Sequence, residues 1–88
     1  DVSPEITGAI AKPVSQSDFE KASEYWAQRY EAKPKDPAIA FNYALTLRRL
    51  GRTEQAVAVL QGAAINHPDD RVILAAYGKA LADAGDLN

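Results

Sequence analysis

Apolar and polar residues alternate along this chain with the period of an α-helix. In the first clear segment Phe19, Ala22, Trp26 and Tyr30 follow one another at steps of three or four residues. Side chains at such steps lie on one face of a helix. The same pattern returns in three later segments, so the sequence predicts four amphipathic helices.

The ends of the first two helices are predicted from residues that start or stop helices. Ser17, with Glu20 three residues later, forms a capping-box pattern and predicts the first start. Pro34 predicts the first end, because proline excludes helical geometry at the residue before it. Asp36, followed by a proline, predicts the second start. Gly51 predicts its end in a left-handed conformation.

The third and fourth helices have equally clear limits. Thr53 is expected to open the third helix, which stops before Pro68. Asp69 or Asp70 is expected to cap the fourth, which Gly85 ends. The apolar faces predicted for the last three helices are Ala40, Tyr43, Ala44, Leu47 and Leu50, then Ala56, Val57, Leu60, Ala63 and Ala64, then Ile73, Leu74, Tyr77, Gly78 and Leu81.

The second half of the chain repeats the first with a step of 34 residues. Pro34 returns as Pro68, and Gly51 returns as Gly85. A fixed period of this length, filled with helical patterning, is typical of stacked helix–turn–helix units. The other pairs at the same step are Asp36 and Asp70, Ile39 and Ile73, Tyr43 and Tyr77, and Leu47 and Leu81.

Residues 1–16 show no sustained period. Pro4, Gly8 and Pro13 interrupt them, so we expect a disordered leader or linker that ends where the helices begin. Ile6 and Ile10 leave open that the leader docks on the helices. Because the chain starts at Asp1 and has no methionine, we expect it to be a segment of a longer protein.

Composition narrows the classes of function. The net charge is −2 with both signs interspersed, which argues against nucleic acid as the main partner. No apolar run approaches the ~20 residues of a membrane-spanning helix. There is no cysteine, and no spacing typical of a metal site, so we expect neither a metal nor another cofactor.

No constellation typical of catalysis is present. His67 is the single histidine and stands at a predicted helix end, where we expect it exposed to solvent and interacting with the helix dipole. Without a nucleophile and an orienting acid it is no catalytic base. Trp26 is expected in the core. The sequence therefore predicts recognition rather than an enzyme.

These residues together resemble the tetratricopeptide-repeat family. Residues 37–70 are similar to one complete repeat, residues 17–34 to helix B of a preceding repeat, and residues 71–88 to helix A of a following one. The resemblance implies an all-α solenoid of antiparallel helix–turn–helix units in a right-handed superhelix. In this register Ala44 and Gly78 are expected to lie opposite the alanines of helix B.

In this family helix A lines a concave groove that binds peptides, so the resemblance implies a protein or peptide partner. Only Asn42 matches the residues with which some members clamp a C-terminal carboxylate, so we do not expect such a clamp. The alternative for Phe41 and Leu45 is that they pack on the preceding helix. The groove residues implied by register are Ala38, Phe41, Asn42, Leu45, Arg49, Val72, Ala75 and Lys79, with Ala76 and Asp83 beside them.

A narrower resemblance is to the repeat proteins of bacterial tight-adherence (Flp) pilus assembly. It implies the cell envelope or periplasm, while the residues themselves leave a cytoplasmic location open. Two alternatives to a partner-binding groove stay open: a structural spacer or assembly surface, and an accessory array of a larger enzyme. The last predicted helix lacks a following helix, so we also expect fraying or self-association there.

Overall fold

The computed structural model describes residues 15–85, and this part of the chain is all-α. Within it the chain forms four helices and no strand, as the sequence predicts. The helices are α1 (Gln16–Ala32), α2 (Pro37–Arg49), α3 (Thr53–Asn66) and α4 (Arg71–Ala84). The predicted leader lies outside the described residues except for its last two.

Helix α1 begins earlier than predicted. Its cap is Ser15, whose Oγ accepts a hydrogen bond from the Asp18 N–H at 3.2 Å. The Asp18 carboxylate in turn accepts from the Ser15 N–H at 3.2 Å. This is a capping box with a shorter acid than the usual glutamate. The expected start at Ser17 is therefore wrong, because Ser15 offers the same chemistry and adds residues to the helix.

The two turns that end α1 and α3 have the same geometry, one sequence step apart. Lys33 has φ −138° and ψ 70°, and His67 has φ −135° and ψ 68°. The caps that follow agree as well: Asp36 has φ −78° and ψ 117°, and Asp70 has φ −83° and ψ 107°. The period of 34 residues in the sequence is thus a period of the backbone.

Gly51 ends α2 in the left-handed conformation that the sequence predicts. Its φ is 79°, and its N–H donates to the Arg48 carbonyl at 3.0 Å. The Arg52 N–H donates to the Leu47 carbonyl at 2.8 Å, which completes a Schellman motif. The motif satisfies carbonyls at the helix end and turns the chain back into α3.

Replacing Gly51 by alanine is expected to destabilise the fold by about 1–2 kcal/mol, because an L-residue is strained at positive φ. Gly78 is the matched control. It is exposed inside α4, and a methyl group there would meet no atom within 4 Å. Gly78→Ala should stabilise by about 0.5–1 kcal/mol through helix propensity. Urea unfolding of both variants measures the difference, and equal effects would contradict the assigned turn.

The core is built mainly from alanine. Of the eleven buried apolar residues among residues 15–85 six are alanines, so neighbouring helix backbones come close and the larger side chains interdigitate. Each helix packs against its neighbours in the chain, and α2 also touches α4. The buried set is Ala40, Tyr43, Ala44, Leu47, Ala56, Val59, Leu60, Ala63, Ile73, Ala76 and Ala80.

Trp26 lies at the margin of this core rather than inside it. Its side chain is half-buried, and its ring meets Tyr25 edge-on with the centroids 5.0 Å apart. Tyr30 packs against Tyr43 across the interface of α1 and α2, at 5.4 Å. The prediction of Trp26 as a core residue therefore holds only in part, because no described helix covers the outer side of α1.

The buried face of α4 differs from the predicted one. Ile73 is buried as expected, but Leu74 is 43% exposed and Gly78 is exposed. Their equivalents one step earlier, Ala40 and Ala44, are each 1% exposed, on a helix that packs against α3. No described helix stands in that place beside α4. The expectation that Gly78 lies opposite helix B alanines is therefore wrong for residues 15–85.

Candidate functional site

The equivalent helices α2 and α4 lie side by side and enclose a groove. Its volume is about 400 Å³, and its floor includes Leu60 of α3. Both helices are in register because an aspartate caps each at the same position. Asp36 accepts from the Ala38 N–H at 2.9 Å, and Asp70 accepts from the Ile73 N–H at 3.1 Å. The groove residues are Phe41, Ala44, Leu45, Arg48, Leu60, Arg71, Val72, Ala75, Ala76 and Lys79.

The walls of the groove are apolar and partly open to solvent. Phe41 and Leu45 stand one turn apart on α2, and both are half-buried. Val72, on the facing helix, is 59% exposed, and Ala75 beside it is exposed. The exposed surface of this valine, next to half-buried apolar side chains, is removed from water only when another molecule covers it.

Charges border this apolar surface. Arg48 extends from α2 to α4, where its Nη2 lies 2.7 Å from the Asp83 carboxylate and its Nε donates at 2.9 Å. This ion pair ties the two repeats together at the C-terminal end of the groove. Arg71 and Lys79 are exposed on α4 and line the same groove. Cations therefore stand at both ends of the apolar wall on α4.

Five of the eight residues predicted for the groove line it. They are Phe41, Leu45, Val72, Ala75 and Lys79. The alternative for Phe41 and Leu45 is that they pack on the preceding helix; both are half-buried, and both contribute surface to the groove. Phe41 also packs against the core with its buried part.

Ala38 and Asn42 lie at the N-terminal margin of this surface and face α1. They border a second pocket of about 610 Å³, shared with Tyr25, Trp26 and Arg29. The Asn42 Nδ2 donates to the Ala38 carbonyl at 2.9 Å, so one donor of this amide is used within its own helix. A ligand in the main groove would reach these two residues only if it extended past Phe41 and Val72, which share a smaller pocket with them.

Arg49 does not line the groove. Its guanidinium lies 5.8 Å from the centre of the Phe19 ring, on the side of α2 that faces α1. Its neighbour Arg48 takes the expected place instead. The spacing in the sequence indicates that Arg48 lies in the groove. Arg48 follows Leu45 by three residues and Phe41 by seven, which puts all three on one helical face. Arg71, four residues before Ala75, was missed although the same rule would have found it.

Comparison with known families explains the architecture. The family model described as tetratricopeptide repeat matches residues 14–71 and, in a second alignment, residues 44–87. The chain belongs to the tetratricopeptide-repeat family. Repeats of this family generally mediate protein–protein interactions and are typically non-catalytic scaffolds. None of the helices within residues 15–85 is long and apolar enough to cross a membrane.

One curated relative is the Vi polysaccharide export protein VexE of Salmonella typhi. It is 32% identical to this tetratricopeptide-repeat chain over 65 residues, which are 74% of the chain and 10% of that protein. The chain thus spans about a tenth of the length of this relative. No solved structure matches the chain.

His67 has a structural position in the repeat. It is half-buried at the end of α3, and its Nε2 lies 2.6 Å from the Lys35 carbonyl in the preceding inter-repeat turn. Since a carbonyl only accepts, Nε2 carries the hydrogen. The expected solvent-exposed histidine is therefore wrong: the ring joins two successive turns. Within residues 15–85 no group of three acidic or histidine side chains is placed to hold a metal.

Proposed function

We propose that residues 15–85 form a non-catalytic scaffold whose groove between α2 and α4 binds a segment of a partner protein. The observation that carries the proposal is the apolar wall of Phe41, Leu45 and Val72, left open between two equivalent helices. Rigid helices hold the wall in place, which lowers the entropic cost of binding. Among residues 15–85 no side chain that lines the groove is a nucleophile or a general base.

Val72→Asn is expected to weaken binding of a groove partner about tenfold, since a covered valine contributes about 1.5 kcal/mol. The change is neutral, and Val72 is 59% exposed, so the fold should be retained. Ile65→Asn is the matched control, because Ile65 is also β-branched and is 73% exposed but borders no described pocket. The change is measured by the fluorescence anisotropy of a labelled groove-binding peptide that is titrated with each variant. Equal losses in both variants would contradict the groove.

We further propose that the parent protein works in a bacterial export or assembly apparatus of the cell envelope. Two observations support this: the resemblance to repeat proteins of Flp pilus assembly, and a relative whose name assigns it to polysaccharide export. Pilus assembly is the narrower form of the proposal. Deleting the repeat segment from the parent gene should reduce delivery of the exported polymer or pilin to the cell surface. Unchanged delivery, with the truncated protein present, would exclude the assignment.

A structural role is the second candidate, and the open face of α4 favours it. Leu74 and Gly78 are exposed where their equivalents on α2 are buried. A second copy of the chain could bury the same face, so self-association stays a prediction. Sedimentation velocity of the wild type and of Leu74→Asp measures it. A concentration-dependent dimer that the substitution abolishes supports the structural role, and a monomer throughout excludes self-association through this face.

A further inference from the structure

We propose that the groove selects acidic, amphipathic partner segments, in which two carboxylates about 12 Å apart stand on either side of an apolar side chain. The proposal rests on the proposed function, because it names the partner chemistry of the same groove. Two observations support it. One charge in the groove is already neutralised by an ion pair, and the remaining charges have a defined spacing.

The charges that line the groove are all positive. They belong to Arg48, Arg71 and Lys79. Arg48 is already compensated by Asp83, whose carboxylate lies 2.7 Å from its guanidinium. Within residues 15–85 the structure records no ion pair for Arg71 or Lys79. Two exposed positive charges therefore remain for a partner to neutralise.

The carboxylates on α4 do not compete for these two cations. Asp83 is held by Arg48 through both Nε and Nη2. Asp70 caps the helix and accepts a hydrogen bond from the Ile73 N–H. Among residues 15–85 the charged side chains that line the groove are thus all cationic, although the whole chain carries a net charge of −2. The local field of such cations attracts acidic segments and rejects basic ones.

The spacing of the cations defines the partner further. Arg71, Ala75 and Lys79 follow one another at steps of four residues, so they lie on one face of α4. Eight residues of helix place the two cations about 12 Å apart. Between them the short side chain of Ala75 leaves room for an apolar side chain of the partner in the groove that Leu45 also lines. Matching acids would be seven or eight residues apart in a helical partner, and about four apart in an extended one.

Selection from a phage-displayed library of random linear peptides tests the proposal without assuming a partner. The baits are the wild type, the groove variant Arg71→Glu/Lys79→Glu, and the control Lys21→Glu/Lys35→Glu. The control makes the same change in net charge at exposed lysines that border no described pocket. Peptides selected on the wild type should be acidic, and those selected on the groove variant should be basic. The wild-type peptides should lose about tenfold in affinity on the groove variant and little on the control.

Binding to Val72→Asn separates this proposal from the one on which it rests. Two outcomes would overturn the charge preference and leave the groove intact as a binding site. In the first, the selected peptides need Val72 but carry no excess of acidic residues. In the second, they bind the groove variant with unchanged affinity. Peptides that are all indifferent to Val72 would overturn both. An equal loss on the control variant would show an effect of net charge alone and would also overturn the proposal.

Discussion

Leu47→Ala is expected to lower the free energy of unfolding by about 2–5 kcal/mol, the largest effect of any single change considered for this chain. Leu47 is 1% exposed and belongs to α2, which packs against all three other helices. Removing its side chain leaves a cavity that rigid neighbours fill only in part. Small domains have about 5–15 kcal/mol of stability in total, so thermal unfolding should shift by roughly 10 °C or more.

Leu74→Ala is the matched control for this prediction. The same atoms are removed, but Leu74 is 43% exposed on the open face of α4. Truncating Leu74 should lower the free energy of unfolding by well under half as much as truncating Leu47. Urea unfolding followed by circular dichroism measures both variants. If both changes lower the free energy of unfolding equally, then Leu74 is covered in solution. That result would contradict the open face of α4.

Ala56→Leu is expected to destabilise the fold by about 1–3 kcal/mol, although leucine is a good helix former. Ala56 is fully buried on α3, which packs against α2 and α4. A larger side chain there must push the helices apart or adopt a strained rotamer. The overpacking would act on the contact that lets one helical hairpin nest against the next.

Ala58→Leu provides the comparison, because Ala58 is on the same helix only two residues away and is exposed. Both changes add the same atoms and have the same effect on helix propensity. Only Ala56→Leu should therefore lower the unfolding midpoint in urea. If Ala56→Leu were neutral, short side chains would not be what permits the close approach of these helices.

Much of the fold could be predicted because its determinants are local. Proline, glycine and aspartate mark both ends of α2 and α4 and the C-terminal end of α3 through chemistry that involves only a few neighbouring residues. Asp36 and Gly51 are found in the conformations that their residue types favour. The repeat of these residues at a step of 34 then gave the stacking of equivalent helices, since equal local signals produce equal local geometry.

The predictions from sequence are wrong where a helix start depends on a competing residue, or where burial depends on a neighbouring helix. Ser15 and Ser17 are both good caps with an acid three residues later, and in the structure the capping box forms between Ser15 and Asp18. For α4, the pattern gave the face that the repeat would bury, yet Leu74 is uncovered because no described helix lies beside it. Sequence periodicity identifies which face can be buried, and only packing shows whether it is.

The predicted groove residues lie on the two helices that border the groove, but not all of them line it. Phe41, Leu45 and Val72 were found, since apolar residues on helix A face the groove. Arg49 was chosen where Arg48 lies in the groove. One residue is a rotation of about 100° on a helix, so adjacent arginines project to different neighbours. The Arg48–Asp83 ion pair joins residues 35 positions apart, and no local pattern indicates it.

The most direct test of the account is to map, by amide chemical shifts, where the tightest peptide from the unbiased selection binds the chain. We predict that the largest shifts fall at Leu45, Val72, Ala75 and Lys79, with the helical pattern of shifts unchanged. Shifts concentrated instead at Lys21, Ala58 and Ile65, with the residues of the groove unaffected, would contradict the claim that partners bind between α2 and α4.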